Sequence, residues 1–281
     1  MKIKIITDST SYLDKNYIEN EDITVVPLNY VFDGEDFKEG FKGEFGEFYH
    51  KLKSTDLFPT TSQPAVGDFA AAFHEALKSY DQIVVVTLSS KISGTYTSAH
   101  MAAEMVDPEN IKVIDSLGAA ATLRFLVQDA VGLAKAGLDA QEIFQELESK
   151  KKNLGIVLTT DTLEYLSRGG RLSSLQAGIG NILSIKPVIR MLDGELKLVE
   201  KVRGGKKAIS RLLTYIPEEV DRISLCHVTN IQEAEKLSET LRQTYPGVTV
   251  EIDELGPVIG AHLGPKTLGI CFSYNVTDQV L

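Results

Sequence analysis

Two hydroxyl-rich segments stand out in the first hundred residues. Thr60-Thr61-Ser62-Gln63-Pro64 precedes an amphipathic run, and Ser89-Ser90-Lys91-Ile92-Ser93-Gly94-Thr95 leaves one apolar run and enters another. Hydroxyls beside the first N–H groups of a helix make a ready anion site, because those N–H groups lack intrahelical partners and the helix dipole is positive there. Thr61, Ser62 and Ser93 would serve equally as ordinary helix caps. A third feature lies near the C-terminus, where Gly256-Pro257-Val258-Ile259-Gly260-Ala261-His262-Leu263-Gly264-Pro265 surrounds an imidazole with glycine and proline. It reads as a loop that holds His262 in a fixed frame, or as a partly exposed loop histidine. The other histidines are plainer: His50, His74 and His100 fall on predicted helices, and His227 ends a predicted strand.

Other clusters carry weaker signals. Asp8-Ser9-Thr10 could hold a metal or phosphate, but a helix cap is the simpler reading. Gly178-x-Gly180 sits in a helical run rather than between strand and helix, so it is no dinucleotide fingerprint. Neither a GxSxG elbow nor a GxxxxGK[ST] loop is present. Arg168-Gly169-Gly170-Arg171, with Lys201, Arg203, Lys206 and Lys207, forms a basic group that could bind phosphate, cap helices or dock an acidic partner.

The chain's 29 basic and 39 acidic residues give a net charge of −10, which argues against general nucleic-acid binding and against adsorption to an anionic membrane. Cys226 and Cys271 each lie in an apolar run and read as buried thiols of a reducing compartment, with no cysteine–histidine spacing for a metal. The opening MKIKIITDST lacks the apolar core of a signal peptide, and no run approaches the ~18 apolar residues of a membrane span, so a cytoplasmic location is expected.

These groups need elements to position them. Ile3–Thr7, Ile23–Phe32, Ile83–Leu88 and Ile111–Ile114 read as strands, and helical patterns cover Glu44–Lys53, Val66–Lys78, Gly94–Met105, Ala119–Ala136 and Asp139–Lys151. Thr60–Pro64 reads as a loop. After about residue 153, strands are expected at Gly155–Leu158, Val188–Met191, Glu195–Val199, Ile223–Val228, Val248–Asp253 and Leu268–Tyr274. Helices are expected at Leu163–Ser167, Leu175–Leu183, Lys206–Tyr215 and Ile231–Tyr245, and Asp193-Gly194 marks a hairpin. The reading is a two-domain α/β protein. Residues 1–153 form a doubly wound parallel sheet carrying the hydroxyl loops, and residues 154–281 an α/β sandwich with a mixed sheet.

The ordered set Ile6-Thr7-Asp8-Ser9-Thr10, Thr61-Ser62-Gln63-Pro64, Ser89-Ser90 through Ser93-Gly94-Thr95-Tyr96, Gly169-Gly170-Arg171, Lys186-Pro187, Lys201-Val202-Arg203 and Gly260-x-His262-x-Gly264-Pro265 resembles the DegV family of bacterial fatty-acid-binding proteins. The resemblance implies the lipid-binding, non-catalytic subunit of a fatty acid kinase. Such a subunit holds one long-chain fatty acid, such as palmitate, stearate or oleate, between two domains. A separate ATP-dependent kinase then makes the acyl phosphate for phospholipid synthesis. It also implies that Thr61, Ser93 and His262 hold the carboxylate, with Ser62 and the Gly94 N–H as further donors. No cofactor or metal is implied. Arg171 and Arg203 become candidate kinase contacts, and Ile156–Leu158 and Ile179–Ile185 candidate tail contacts. The sequence departs from the family at Lys91-Ile92 and at Lys266, where a glycine is usual. The alternative is a serine-dependent lipid or acyl hydrolase using Ser93 as nucleophile and His262 as base.

Overall fold

The computed structural model describes residues 1–55, 57–171 and 185–274. The expected helix Leu175–Leu183, Gly178-x-Gly180 and all of the tail candidate Ile179–Ile185 except Ile185 lie outside the described residues. The chain divides into two compact units, Met1–Lys152 with Gly256–Val258, and Asn153–Leu255 with Ile259–Leu281. The return of Gly256–Val258 to the first unit has no counterpart in the sequence reading.

The first unit runs β1 (Ile3–Asp8), α1 (Lys15–Asn20), β2 (Thr24–Val26), β3 (Asn29–Phe32), β4 (Glu35–Lys38), α2 (Gly46–Ser54), β5 (Thr60–Ser62), α3 (Val66–Ala76), β6 (Gln82–Thr87), α4 (Thr95–Val106), β7 (Ile111–Asp115), α5 (Ala121–Lys135) and α6 (Ala140–Lys150). Its main sheet has the order β2-β1-β6-β7, all parallel, with Ile5 opposite Val84 and Val85 opposite Val113. Such strands are buried on both faces, and the near-continuous apolar runs reflect this. Ile6, Ile83 and Val85 pack under Phe69 and Phe73 of α3 and Ala99 and Ala102 of α4. Helices α5 and α6 lie against the opposite face. The sheet is therefore doubly wound, and β1 and β6 flank the point where the strand order reverses, where open α/β sheets bind ligands.

The single strand expected over Ile23–Phe32 is two. Pro27 lacks an N–H for a ladder, and the chain leaves the parallel sheet after Val26. Leu28 is held instead by its N–H to Ser9 Oγ (3.1 Å) and by its carbonyl, which accepts from Glu39 N–H (2.8 Å). Then β3 joins a separate antiparallel sheet, β4-β3-β5, turning at Asp33-Gly34 with φ 59° and 79°. The loop expected over Thr60–Pro64 is in part the strand β5, with Thr61 opposite Tyr30.

The second unit continues with β8 (Leu154–Thr159), α7 (Glu164–Gly169), β9 (Ile185–Leu192), β10 (Glu195–Arg203), α8 (Gly205–Leu213), β11 (Val220–Val228), α9 (Ile231–Thr244), β12 (Thr249–Glu254), α10 (Pro257–Leu263, from Ile259 on) and β13 (Thr267–Tyr274). Its sheet order is β10-β9-β8-β13-β11-β12, antiparallel except for β11 beside β12. The β9–β10 hairpin turns at Asp193-Gly194 with φ 51° and 81°, as its sequence indicates. Val157, Leu225 and Ile270 pack with Leu212 of α8 and Leu237 and Leu241 of α9 in one core. Strand alternation turns Ile156 and Leu158, both buried, to the other face. Cys226 and Cys271 are buried and not joined by a disulfide, with sulfurs 3.7 Å apart on neighbouring strands. No helix of the described residues is long and apolar enough to cross a membrane.

Candidate functional site

In the first unit, the loop from β6 to α4 is wound around Ser89. Ser89 is fully buried, its N–H donates to Gly118 O (2.8 Å), and its carbonyl accepts from Ile92 and Ser93 N–H (3.2 Å each). Its Oγ accepts from Lys91 N–H at 3.2 Å. Asp8 anchors the start of the loop. One carboxylate oxygen accepts from Leu88 N–H (2.7 Å), and the other accepts from Thr10 N–H (2.9 Å) and Thr10 Oγ1 (2.5 Å). Asp8 therefore caps the 3-10 turn Ser9–Ser11 and ties together the chain segments leaving β1 and β6. Burial pushes its carboxyl up to about 6, against the lowering effect of these hydrogen bonds.

Ser93 and Gly94 end this loop at the N-terminus of α4, with Gly94 in the cap position. Ser93 Oγ accepts from Thr95 N–H (3.3 Å) and shares a hydrogen bond with Thr95 Oγ1 (2.9 Å). Ser93 is thus not the N-cap that one sequence reading made it: Gly94 holds that position, and Ser93, one residue earlier, accepts from the first helical N–H. Its half-buried hydroxyl can still donate when Thr95 Oγ1 donates to it. Lys91 is exposed.

Thr61 and Ser62 are not helix caps. They lie on β5, and α3 starts only after Ala65, whose N–H donates to Asp68 Oδ2 at 2.9 Å. What joins β5 to the Ser93 loop is Gln63. A Cβ added to Gly94 would lie 2.8 Å from Gln63 Nε2 and 2.9 Å from its Cδ. The Thr-Ser-Gln-Pro segment and the Ser-Gly-Thr loop are therefore neighbours, and Gln63 is a contact residue that the sequence reading did not single out.

In the second unit, His262 is on the last turn of α10 rather than in a loop. It packs against the end of α7, where a Cβ on Gly169 would come within 2.1 Å of His262 Nδ1. Gly170 follows in the left-handed region (φ 67°), and Arg171 Nη1 donates back to Gly169 O at 2.5 Å. The same two helices approach again where Gly264 (φ 74°) meets the Tyr165 ring, 2.3 Å from an added Cβ. Burial, and secondarily the charge of Arg171, push His262 down to about 4, so its imidazole is neutral near pH 7. Arg171 is half-buried at the histidine, whereas Arg203, at the end of β10, is exposed. The sequence grouped Gly169-Gly170-Arg171 with the basic residues; its structural partner is His262.

In each unit the polar groups are neutral near pH 7: hydroxyls at the start of α4 in the first, and an imidazole in the second. A hydrolytic base is backed by a carboxylate, but the charged neighbour that shifts His262 is a cation. Ser93 Oγ is bonded to Thr95. The hydrolase alternative thus finds no support. Among the described residues, no cluster of three or more His, Cys, Asp or Glu could hold a metal.

The DegV family model, described as one of uncharacterised proteins, matches residues 2–275. Protein DegV of Bacillus subtilis (strain 168) is 38% identical to the chain over 281 residues, covering 98% of this chain and all of the relative. Among solved structures, DegV from Bacillus subtilis, described as a fatty acid binding protein, is similar with TM-score 0.89 at 38% identity, covering 98% of this chain and 100% of that one. A DegV lipid binding protein from Thermotoga maritima has TM-score 0.88 at 33% identity over 98% and 99% of the two chains. A DegV family protein from Thermus thermophilus, described by its fatty acid binding, has TM-score 0.88 at 31% identity over 98% and 100%.

Proposed function

Because the chain belongs to the DegV family, we propose that it binds one long-chain fatty acid and presents the carboxylate to a separate ATP-dependent kinase. In this reading it is a cytoplasmic, non-catalytic carrier whose acyl phosphate product feeds phospholipid synthesis. Its two functional domains divide at residues 153/154. The carboxylate ligands are Thr61, Ser62, Ser93 and the Gly94 N–H from the first and His262 from the second. Fatty acid binding by similar proteins from Bacillus subtilis and Thermus thermophilus supports the ligand class. The observation that carries the site is the contact of Gln63 with Gly94, which makes the two hydroxyl segments neighbours at the N-terminus of a twelve-residue helix.

The division of labour follows from the ligand. Burial is worth about 0.8 kcal/mol per CH₂, so an acyl tail supplies the affinity. The head must find donors, because an unpaired buried carboxylate costs several kcal/mol. Neutral hydroxyls, a helix N-terminus and the N–H of a neutral imidazole offset that cost through charge-assisted hydrogen bonds. Ile156 and Leu158 are candidate tail contacts, supported by their facing away from the α8–α9 core. Arg203, being exposed, suits a kinase contact better than Arg171 does.

Native mass spectrometry of the purified chain tests the ligand. One bound fatty acid per chain is expected, and a protein that arrives empty and takes up no added oleate overturns the proposal. Ser93→Ala and Thr61→Ala are each expected to slow phosphorylation of bound lipid by the kinase; unchanged turnover in both removes them from the site.

A further inference from the structure

Glu39 follows β4 and is 4% exposed. Among the described residues, no cation hydrogen-bonds to it. Oε1 accepts from Val258 N–H (2.8 Å) and Tyr12 OH (3.3 Å), and Oε2 accepts from Ser9 Oγ (2.6 Å). Around it, Tyr49 OH donates to Gly256 O (3.1 Å). A Cβ on Gly256 would lie 2.5 Å from Glu39 Oε1, 2.7 Å from Tyr12 Cε1 and 3.0 Å from Phe45 Cζ. The three residues Gly256–Val258 are thus clasped within the first unit by a buried carboxylate and three aromatic side chains. Burial, and to a smaller degree Asp8, push Glu39 up to about 7 despite its three donors. A buried carboxylate without a cation is expensive, and the raised carboxyl of Glu39 reflects that cost.

What the clasp holds is the start of α10. Pro257 and Val258 open that helix, and His262 lies four residues beyond Val258, one turn on and on the same face. Val258 and the imidazole thus belong to one helix of seven residues. We infer that Glu39 is a positioning residue for His262, fixing through the Val258 N–H where α10 begins and hence where the imidazole is offered to a carboxylate ligand. The inference rests on the reading of His262 as a carboxylate ligand, but the clasp can be tested without any ligand.

The test uses the full chain with ¹⁵N-labelled histidine, with Glu39→Gln as the main variant and Tyr49→Phe, which loosens Gly256 instead, as the second. In the ligand-free protein the His262 imidazole resonances are expected to move in both variants, while those of His74 and His100 stay in place. Oleate binding is expected to weaken about five- to tenfold, the loss of roughly one hydrogen bond's net worth. In a His262→Gln background, Glu39→Gln is expected to add no further loss. Unmoved His262 resonances, or losses that simply multiply with His262→Gln, overturn the inference. If Glu39→Gln fails to fold, Tyr49→Phe carries the same readouts. Failure of the wild-type chain to bind oleate would defeat the proposed function while leaving the ligand-free spectra to decide on the clasp.

Discussion

The carboxamide of Gln63 occupies the space where a side chain at Gly94 would begin, 2.8 Å from the position of a Cβ. Gly94 has φ −76°, so alanine suits its backbone and only the contact with Gln63 opposes it. The obstacle is the end of a flexible, exposed side chain, which can move aside. Gly94→Ala is therefore expected to leave stability within about 1 kcal/mol of wild type but to weaken fatty acid binding several-fold. Gln63→Ala in the same chain should restore part of the loss. Calorimetric binding of oleate to wild type and the two variants checks this, and equal affinity in all three proteins would exclude the contact from the site.

Gly169→Ala is a harsher change. The new methyl would meet the His262 ring at 2.1 Å, at the end of a helix that cannot easily retreat. Overpacking of this kind costs about 1–3 kcal/mol. Urea unfolding should show that loss, and Gly169→Ala combined with His262→Ala should recover most of it. A double variant no more stable than the single would mean the clash lies elsewhere.

The buried carboxyls give an unusual pH dependence. Asp8 rises from 3.8 to about 6 and Glu39 from 4.5 to about 7, so between roughly pH 4 and 7 the folded chain holds protons that the unfolded chain has released. These two groups therefore favour folding at low pH, and their contribution is lost as pH rises through the folded values, by an amount on the order of 3 kcal/mol each. His262, depressed to about 4, acts in the opposite sense, losing stability as pH falls from 6.5. The diagnostic is a difference. Relative to wild type, Glu39→Gln should flatten the decline in stability between pH 5 and pH 8, measured by urea midpoints. Parallel curves would show that Glu39 is not titrating there.

Carboxylate binding should reverse the depression of His262. A negative charge at hydrogen-bond distance favours the protonated ring, and a rise of one pKa unit corresponds to about 1.4 kcal/mol. Imidazole chemical shifts followed with and without oleate are expected to show a rise of at least that size from the ligand-free value of about 4. An unchanged titration would place the carboxylate away from His262.

Lys266 has φ 60°, a conformation that costs a side-chain-bearing residue about 1–2 kcal/mol and glycine almost nothing. Its ion pair with Asp161 spans 3.7 Å with the lysine 71% exposed, and such pairs contribute little. Lys266→Gly should therefore raise stability by up to about 1 kcal/mol, the gain being limited by the greater freedom of glycine in the unfolded chain. A lower urea midpoint would contradict this account.

Where local chemistry sets structure, the sequence was informative. Ile83–Leu88 could hardly be anything but a buried strand, and Asp193-Gly194 supplied the two positive φ values its hairpin needs. Thr60-Thr61-Ser62 became a strand through pairing with Tyr30, and three polar residues carry no periodic signal of that. Pro27 was the visible mark that one apolar run was two strands. The glycines and prolines around His262 suggested a loop, yet Pro257 at the first helical position and Gly264 just past the last frame a short helix. The pairing of Gly169 with His262 spans some ninety residues of chain, and no local pattern announces it.

The clasp around Gly256–Val258 also bears on how the chain acquires its structure during synthesis. The first unit is contiguous to Lys152 except for these three residues, which follow only after a further hundred or so have been made. At about 5–20 residues per second the ribosome needs some 5–20 s for that stretch. Until then Tyr12, Phe45, Tyr49 and the Glu39 carboxylate face an unfilled groove. An amino-terminal fragment ending near residue 152 thus lacks three residues of the first unit. A synthetic peptide containing Gly-Pro-Val in its native context is the missing piece that could complete it.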